Sequence, residues 1–345
     1  MASETNGVRS KKQGNFFQHM LSAHFLEPLA SASWRFPLGR CVTSRSPVVV
    51  LYHGVPSAGE NGCIDFAVFE SHIRFLKRHF ELITPQQLGE RRRPLDRIKV
   101  LLTFDDGFRN QFEIAKRVLL RQNVPALFFI CSRHAKPGSY LWFTHIRMLS
   151  DHFQGPGLTF RGIYFSMRPE DRESSMARLA EILLDLKPHP TAMYRAIEEE
   201  LPCVNGMIDS NSIADHYQGL SAEQVAEIAR EPQFTIGCHT VDHPCLSRCT
   251  SDEVYRQIRD NMDWLERVSN RKCRAIAYPS GDYDARILEQ CRDLNLSYGF
   301  AVSPKFRSFP RLEIPRVGVY SPSLEFLGCK IQWGVFLRQV GLSAG

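Results

Sequence analysis

The 345-residue chain contains no run approaching ~18 consecutive apolar residues, which excludes a hydropathic membrane-spanning helix. Its ten cysteines include no Cys-x-x-Cys pair, so the common zinc-ribbon and dithiol redox templates are absent. Near the N-terminus there is no apolar segment followed by a small-residue cleavage site. Free thiols in a reducing compartment are therefore expected, and with them a location in the cytoplasm or at the inner face of a membrane. There is no glycine-rich phosphate loop and no internal repeat. The longest basic run, Arg91-Arg92-Arg93, is not interleaved with aromatic residues, so nucleic acid is not an expected partner. Charge of one sign is also scarce. Lys+Arg total 43 against 37 Asp+Glu, and the resulting +6 permits an anionic substrate or a peripheral membrane contact without demanding either.

What is present is an ordinary globular composition, with 43% hydrophobic and 23% charged residues, which rules out a wholly disordered chain, a coiled coil or a collagen. Residues 1–46 read as weakly structured. From Pro47 onward short apolar runs recur: Val48–Tyr52, Val100–Phe104, Ala126–Cys131, Phe234–Gly237, Ala275–Tyr278 and Gly299–Val302. They are continuous rather than alternating, the pattern of strands buried on both faces. Between them lie helical periodicities such as Phe66, Phe69, Ile73, Leu76 and Phe80, or Val254, Ile258, Met262 and Leu265. Ser221 with Gln224, and Thr250 with Glu253, form capping boxes ahead of two of these helices. Strand–helix alternation of this kind predicts an α/β fold with parallel strands. The stretch 138–219 breaks the rhythm and reads as a helical insertion, with helices over Met176–Leu186 and Ala192–Leu201. The segment 321–345 ends the chain with an apolar helix over Leu324–Val340, read as core packing or a membrane-surface element.

Two places carry the chemistry. Asp105-Asp106 ends a buried strand, where adjacent carboxylates need a cation, a proton-transfer role or a capping role. His239 and His243 follow the Phe234–Gly237 run, and a spacing of four puts two imidazoles on one face of a helical turn. One carboxylate and two imidazoles make three ligands of the kind zinc takes, with a fourth position for water and a second carboxylate left as a base. All lie at C-terminal strand ends, where (β/α) barrels place catalysts. Cys238, Cys245 and Cys249 flank the histidines but match no usual zinc template, so inert thiols are expected. Trp142-Phe143 with His145 opens the insertion, where an aromatic ring can stack on a sugar or simply pack.

Thr103-Phe-Asp-Asp-Gly107 followed by His239-Thr-Val-Asp-His243 resembles the first two motifs of the polysaccharide deacetylases, the NodB-homology domain of carbohydrate esterase family 4. Tyr52-His53-Gly54-Val55 is similar to the family's entry strand, Ala277–Tyr283 to a variant of its third motif, and Ile314–Val317 to its closing strand. The resemblance implies an irregular (β/α) barrel of about seven strands over 47–320. It also implies a divalent metal, most readily Zn²⁺, held by Asp106, His239 and His243, with Asp105 as general base. Tyr278, Pro279 and Ser280 would line the substrate, with a backbone N–H near Ser280 facing the oxyanion; Trp142 is a substrate-side candidate only from its place at the start of the insertion. Two departures stand out. The third motif has Ala277 and Ser280 where many members carry Arg and Tyr, and the chain has no histidine after His243, where many place the general acid. His53 is the candidate replacement acid and Arg316 the candidate partner for Asp105.

The implied activity is removal of an N-acyl group, acetyl above all, from an amino sugar of a glycan or a lipid-linked saccharide. Two other readings stay open: a glycan-binding or scaffold protein of the same fold that has lost turnover, and a phosphoryl-transfer enzyme using the Asp pair to hold Mg²⁺.

Overall fold

The computed structural model describes residues 46–57, 64–90, 96–186, 188–306 and 310–339, with 333–339 as backbone only. All of the segment expected to be weakly structured except Ser46 lies outside these residues, as does Arg91–Arg93. The described residues form ten strands: β1 Val48–Tyr52, β2 Glu81–Leu82, β3 Lys99–Phe104, β4 Ala126–Ile130, β5 Gly157–Phe160, β6 Ile163–Ser166, β7 Phe234–Cys238, β8 Ala275–Ala277, β9 Tyr298–Ala301 and β10 Ile314–Gly318. Seven of them close a parallel barrel in the order β1-β10-β9-β8-β7-β4-β3, with β3 pairing back onto β1. The short β2 pairs only with the first half of β3, leaving its second half for β4. This is the expected (β/α) barrel.

The helices are α1 Phe66–His79, α2 Asn110–Ile114, α3 Trp142–His152, α4 Pro169–Leu186, α5 Pro190–Glu200, α6 Ser210–His216, α7 Ala222–Arg230, α8 Ser251–Ser269, α9 Ala285–Asp293 and α10 Leu324–Gln339. After Ile114, α2 continues as a π-turn over Ala115–Leu120. Their starts are set by local chemistry: Asp65, Ser221, Thr250 and Asp284 each accept a backbone N–H of the first turn, and Ser221 with Gln224 closes a full capping box. None of the described helices is long and apolar enough to cross a membrane.

Strand alternation divides the core in two. Outward residues such as Val48, Val50, Val100, Leu102 and Phe128 pack beneath α1, α7, α8 and α9. Inward residues Val49, Leu101, Leu127, Phe129, Ala275, Ala277 and Phe300 fill the barrel itself. Because side chains alternate with period two, the inward series runs on past the strand ends into His53, Asp105 and His239, and so delivers polar groups to one mouth.

The insertion carries its own hydrophobic cluster, in which Trp142, Phe160, Phe165, Leu179 and Tyr194 are buried. It also contains the β5–β6 hairpin, where the sequence reading expected only loops and helices. That hairpin turns at Arg161-Gly162, both in the left-handed region, and is too short for its alternation to register in a sequence window. In α10, Phe326, Leu327, Cys329 and Ile331 are buried, which favours core packing for that half; the side chains from Trp333 on lie outside the described residues.

Candidate metal and catalytic centre

Asp105 and Asp106 leave β3 in sequence, so ordinary extended geometry would point them to opposite faces. Asp106 instead adopts a left-handed backbone, φ 71°, followed by Gly107 at φ 72°. This turn brings the second carboxylate back to the mouth. Only glycine fits at 107, since a Cβ there would lie 2.8 Å from Ile130 Cγ2. The Asp-Asp-Gly string is thus a steric requirement as well as a chemical one.

His239 and His243 arrive differently from the sequence expectation. They are not on a helical turn. The segment after β7 is an irregular loop with left-handed Thr240 (φ 67°) and His243 (φ 53°). The Thr240 hydroxyl accepts the His243 backbone N–H at 3.1 Å. The loop still brings the two rings to 5.1 Å between centroids. Helix α8 holds it from one side, where the Gln257 side-chain amide donates to Asp242 Oδ2 and its oxygen accepts the Asp242 N–H. The loop after β4 and the insertion hold it from the other, with Arg133 on Asp242 Oδ1 at 2.5 Å and the Tyr194 hydroxyl on the Asp242 carbonyl at 3.1 Å.

The ligand atoms of Asp106, His239 and His243 all lie within 4.8 Å of one another, and all three residues are buried. His239 Nε2 is 3.4 Å and His243 Nε2 3.7 Å from Asp106 Oδ1. That oxygen is buried without a hydrogen bond, an arrangement expensive in itself that a bound cation would relieve. His239 Nδ1 lies 2.8 Å from the Ala277 carbonyl, which fixes the tautomer so that Nε2 keeps its lone pair toward the cluster. The residues present therefore fit a divalent metal. Burial alone would raise the Asp106 carboxyl, but the imidazoles of His239, His243 and His53 close by hold it well below the usual range. Burial pulls His239 down, and the Asp105 and Asp106 carboxylates outweigh it and hold the imidazole above its ordinary value.

Asp105 is engaged elsewhere. Its two oxygens take a bidentate pair from Arg316, Nη1–Oδ1 at 2.6 Å and Nη2–Oδ2 at 2.8 Å, with both residues buried. Its carbonyl accepts from Gln111 Nε2 at 2.6 Å, which also reaches the His53 carbonyl at 3.4 Å. His53 is half-buried at the end of β1, stacked on Tyr320.

Several expected contact residues sit elsewhere. Tyr278 is fully buried, its hydroxyl donating to the Leu312 carbonyl at 2.9 Å, and Pro279 is buried beside it. Neither side chain reaches the mouth, because the strand ends one residue before Tyr278 and the tyrosine turns into the layer under α9. Ser280 is exposed in a left-handed turn. Trp142 belongs to the insertion core rather than to a sugar platform; its neighbour Phe143 lies edge-on to His243, with centroids 5.2 Å apart. Residues that no sequence pattern singles out are Gln111, Tyr320, and His134, which spans the Asp106 and Tyr217 carbonyls. Each follows from tertiary proximity alone.

A family model described as polysaccharide deacetylase matches residues 197–299. The chain resembles the polysaccharide deacetylases. The matched stretch carries both histidines of the deacetylase pattern, while the Asp pair precedes it. Among solved structures, IcaB from Ammonifex degensii has a TM-score of 0.54 at 19% identity, covering 84% of this chain and 98% of that one. The Streptococcus pyogenes deacetylase PplD, in complex with acetate, has a TM-score of 0.52 at 16% identity, with 84% and 99% covered. A polysaccharide deacetylase from Bacillus cereus has a TM-score of 0.50 at 15% identity, with 83% and 69% covered. These likenesses establish the deacetylase barrel. No curated protein matches the chain.

Proposed function

We propose that the chain is a metal-dependent carbohydrate N-deacetylase, acting on an N-acylated amino sugar of a glycan or lipid-linked saccharide. The observation that carries this reading is the division of labour at one mouth: a three-ligand cluster of Asp106, His239 and His243 beside a second carboxylate, Asp105, that is held apart by Arg316. The two imidazoles favour zinc over magnesium, which sets the phosphoryl-transfer alternative aside.

A divalent ion held by the three ligands would supply Lewis acidity toward the acyl carbonyl and toward water. Asp105 accepts the proton of the attacking water, with the Arg316 fork fixing the carboxylate plane. The water oxygen bonds to the acyl carbon and the carbon–nitrogen bond breaks. His53 delivers the proton that the departing amine requires, and the products are a carboxylic acid and a free amino sugar. Gln111 ties the backbones of Asp105 and His53 together and so fixes base and acid relative to each other.

The test is acetate or formate release from a panel of N-acylated saccharides, with and without chelator. Release that chelator abolishes and Zn²⁺ restores is expected, and Asp105→Asn should keep the metal yet release nothing. The absence of any histidine after His243 and the altered third motif, with Ala277 and Ser280, support the turnover-deficient alternative. Metal and glycan binding without product from any saccharide would favour that alternative.

A further inference from the structure

We propose that Tyr320 is an additional catalytic residue of this centre, its phenol O–H donating a hydrogen bond to the acyl oxygen that takes up negative charge as the amide is attacked. The proposal rests on the deacetylase reading above.

The argument starts from β10. Arg316 points into the barrel to meet Asp105, so the next inward position on that strand is residue 318. That residue is glycine. A Cβ placed on it would lie 2.5 Å from Tyr320 Cε2 and 2.9 Å from the Tyr320 hydroxyl. The phenol therefore fills the space that a side chain at 318 would occupy, one inward position beyond Arg316 on the strand. Its ring is stacked on His53, with centroids 6.0 Å apart and planes at 24°. Tyr320 is thus clamped between the backbone of β10 and the candidate acid on the adjacent strand β1.

Around the barrel, Asp105 at the end of β3 is flanked on one side by His53 and Tyr320, from β1 and β10. On the other side, beyond β4, stand the histidines after β7. A substrate amide presented to Asp105 must lie between these two walls. The Tyr320 hydroxyl has no hydrogen-bond partner among the described residues. It is a donor with nothing to donate to until a ligand arrives. Burial first, then the Asp105 carboxylate, push its ionisation up to about 12, so it carries its proton throughout the neutral range. A preorganised donor aimed at developing charge is the commonest large contribution in acyl transfer.

The experiment uses the full-length metal-loaded protein and a saccharide that the wild type hydrolyses. Tyr320→Phe keeps the ring, the stack on His53 and the packing on Gly318, and removes only the O–H. It should lower kcat by roughly 10²-fold with KM within about two-fold and with an unchanged thermal midpoint. Tyr320→Leu should lower kcat at least as far. Gly318→Ala, whose backbone is not in the left-handed region, should displace the phenol and lower kcat in the same direction. A Tyr320→Phe enzyme turning over at the wild-type rate overturns the proposal, and so does a variant in which KM alone rises, since that marks a ground-state sugar contact. A wild-type protein that releases no acyl group from any saccharide fails the deacetylase reading itself, a result distinct from an active wild type with an unaffected variant.

Discussion

Replacing Arg316 by methionine removes one half of a buried ion pair and leaves the other half in place. Asp105 is 4% and Arg316 3% exposed, and their two N···O contacts of 2.6 and 2.8 Å form a fork–fork pair. At a charge separation of about 4 Å and an effective dielectric near 20, the pair attraction is about 4 kcal/mol. Desolvation of both groups offsets much of that attraction in the intact protein. In Arg316→Met the attraction is gone, while the Asp105 charge stays buried, with the His239 imidazole 3.9 Å away. The expected destabilisation is about 3–5 kcal/mol. The double variant Asp105→Asn/Arg316→Met buries no charge, so it should be far less destabilised than the sum of its two single changes, with a coupling of about 2–3 kcal/mol. Urea unfolding monitored by circular dichroism, at one pH and one metal load, measures all four corners of the cycle. A single variant that loses under about 1 kcal/mol, or strictly additive single changes, would refute the claim that Arg316 is the compensating charge for Asp105.

His239→Ala and Asp106→Asn should each lower Zn²⁺ affinity by at least about 10-fold, scored by competition with a chromophoric chelator, while Asp105→Asn changes it little; equal losses in all three would assign Asp105 to the metal instead. Gly107→Ala must place a Cβ against Ile130 at a left-handed backbone, so a destabilisation above about 1 kcal/mol is expected in denaturant titrations together with weakened metal binding, and a neutral substitution would contradict the turn. Burial lowers the imidazoles of His72, His134 and His145, the last to about 4. The unfolded chain therefore takes up protons that the folded one refuses: stability is intact above the ordinary histidine value near 6.5 and falls as pH drops from there toward 4. His145 alone accounts for up to about 3 kcal/mol of that fall. His145→Gln should flatten the dependence of unfolding free energy on pH across that window, and an unchanged slope would show that the ring is not held neutral.

The sequence by itself determined the parallel α/β alternation and singled out the candidate metal ligands, while the motif resemblance implied closure into a barrel. Six short continuous apolar runs between helical periodicities read as strands covered on both faces, and the Ser221–Gln224 capping box before α7 and the Thr250 cap of α8 are local chemistry that needs no tertiary context. The cluster was legible because a buried Asp-Asp and a His-x-x-x-His have few inexpensive uses, even though the helical turn expected for the histidines proved to be a left-handed loop. What only the tertiary structure decided is which side chains face the mouth. Tyr278 lies one residue beyond β8 and turns into the core. Asp106 faces the mouth despite its position because its backbone turns back. Trp142 packs in the insertion while Phe143 reaches His243. Arg316 meets Asp105 across 211 residues of chain, and Tyr320 occupies a gap defined by a missing side chain on its own strand. Sequence patterns report local period and burial; facing and partnership depend on barrel closure, which brings together strands whose separation along the chain carries no information about their neighbours.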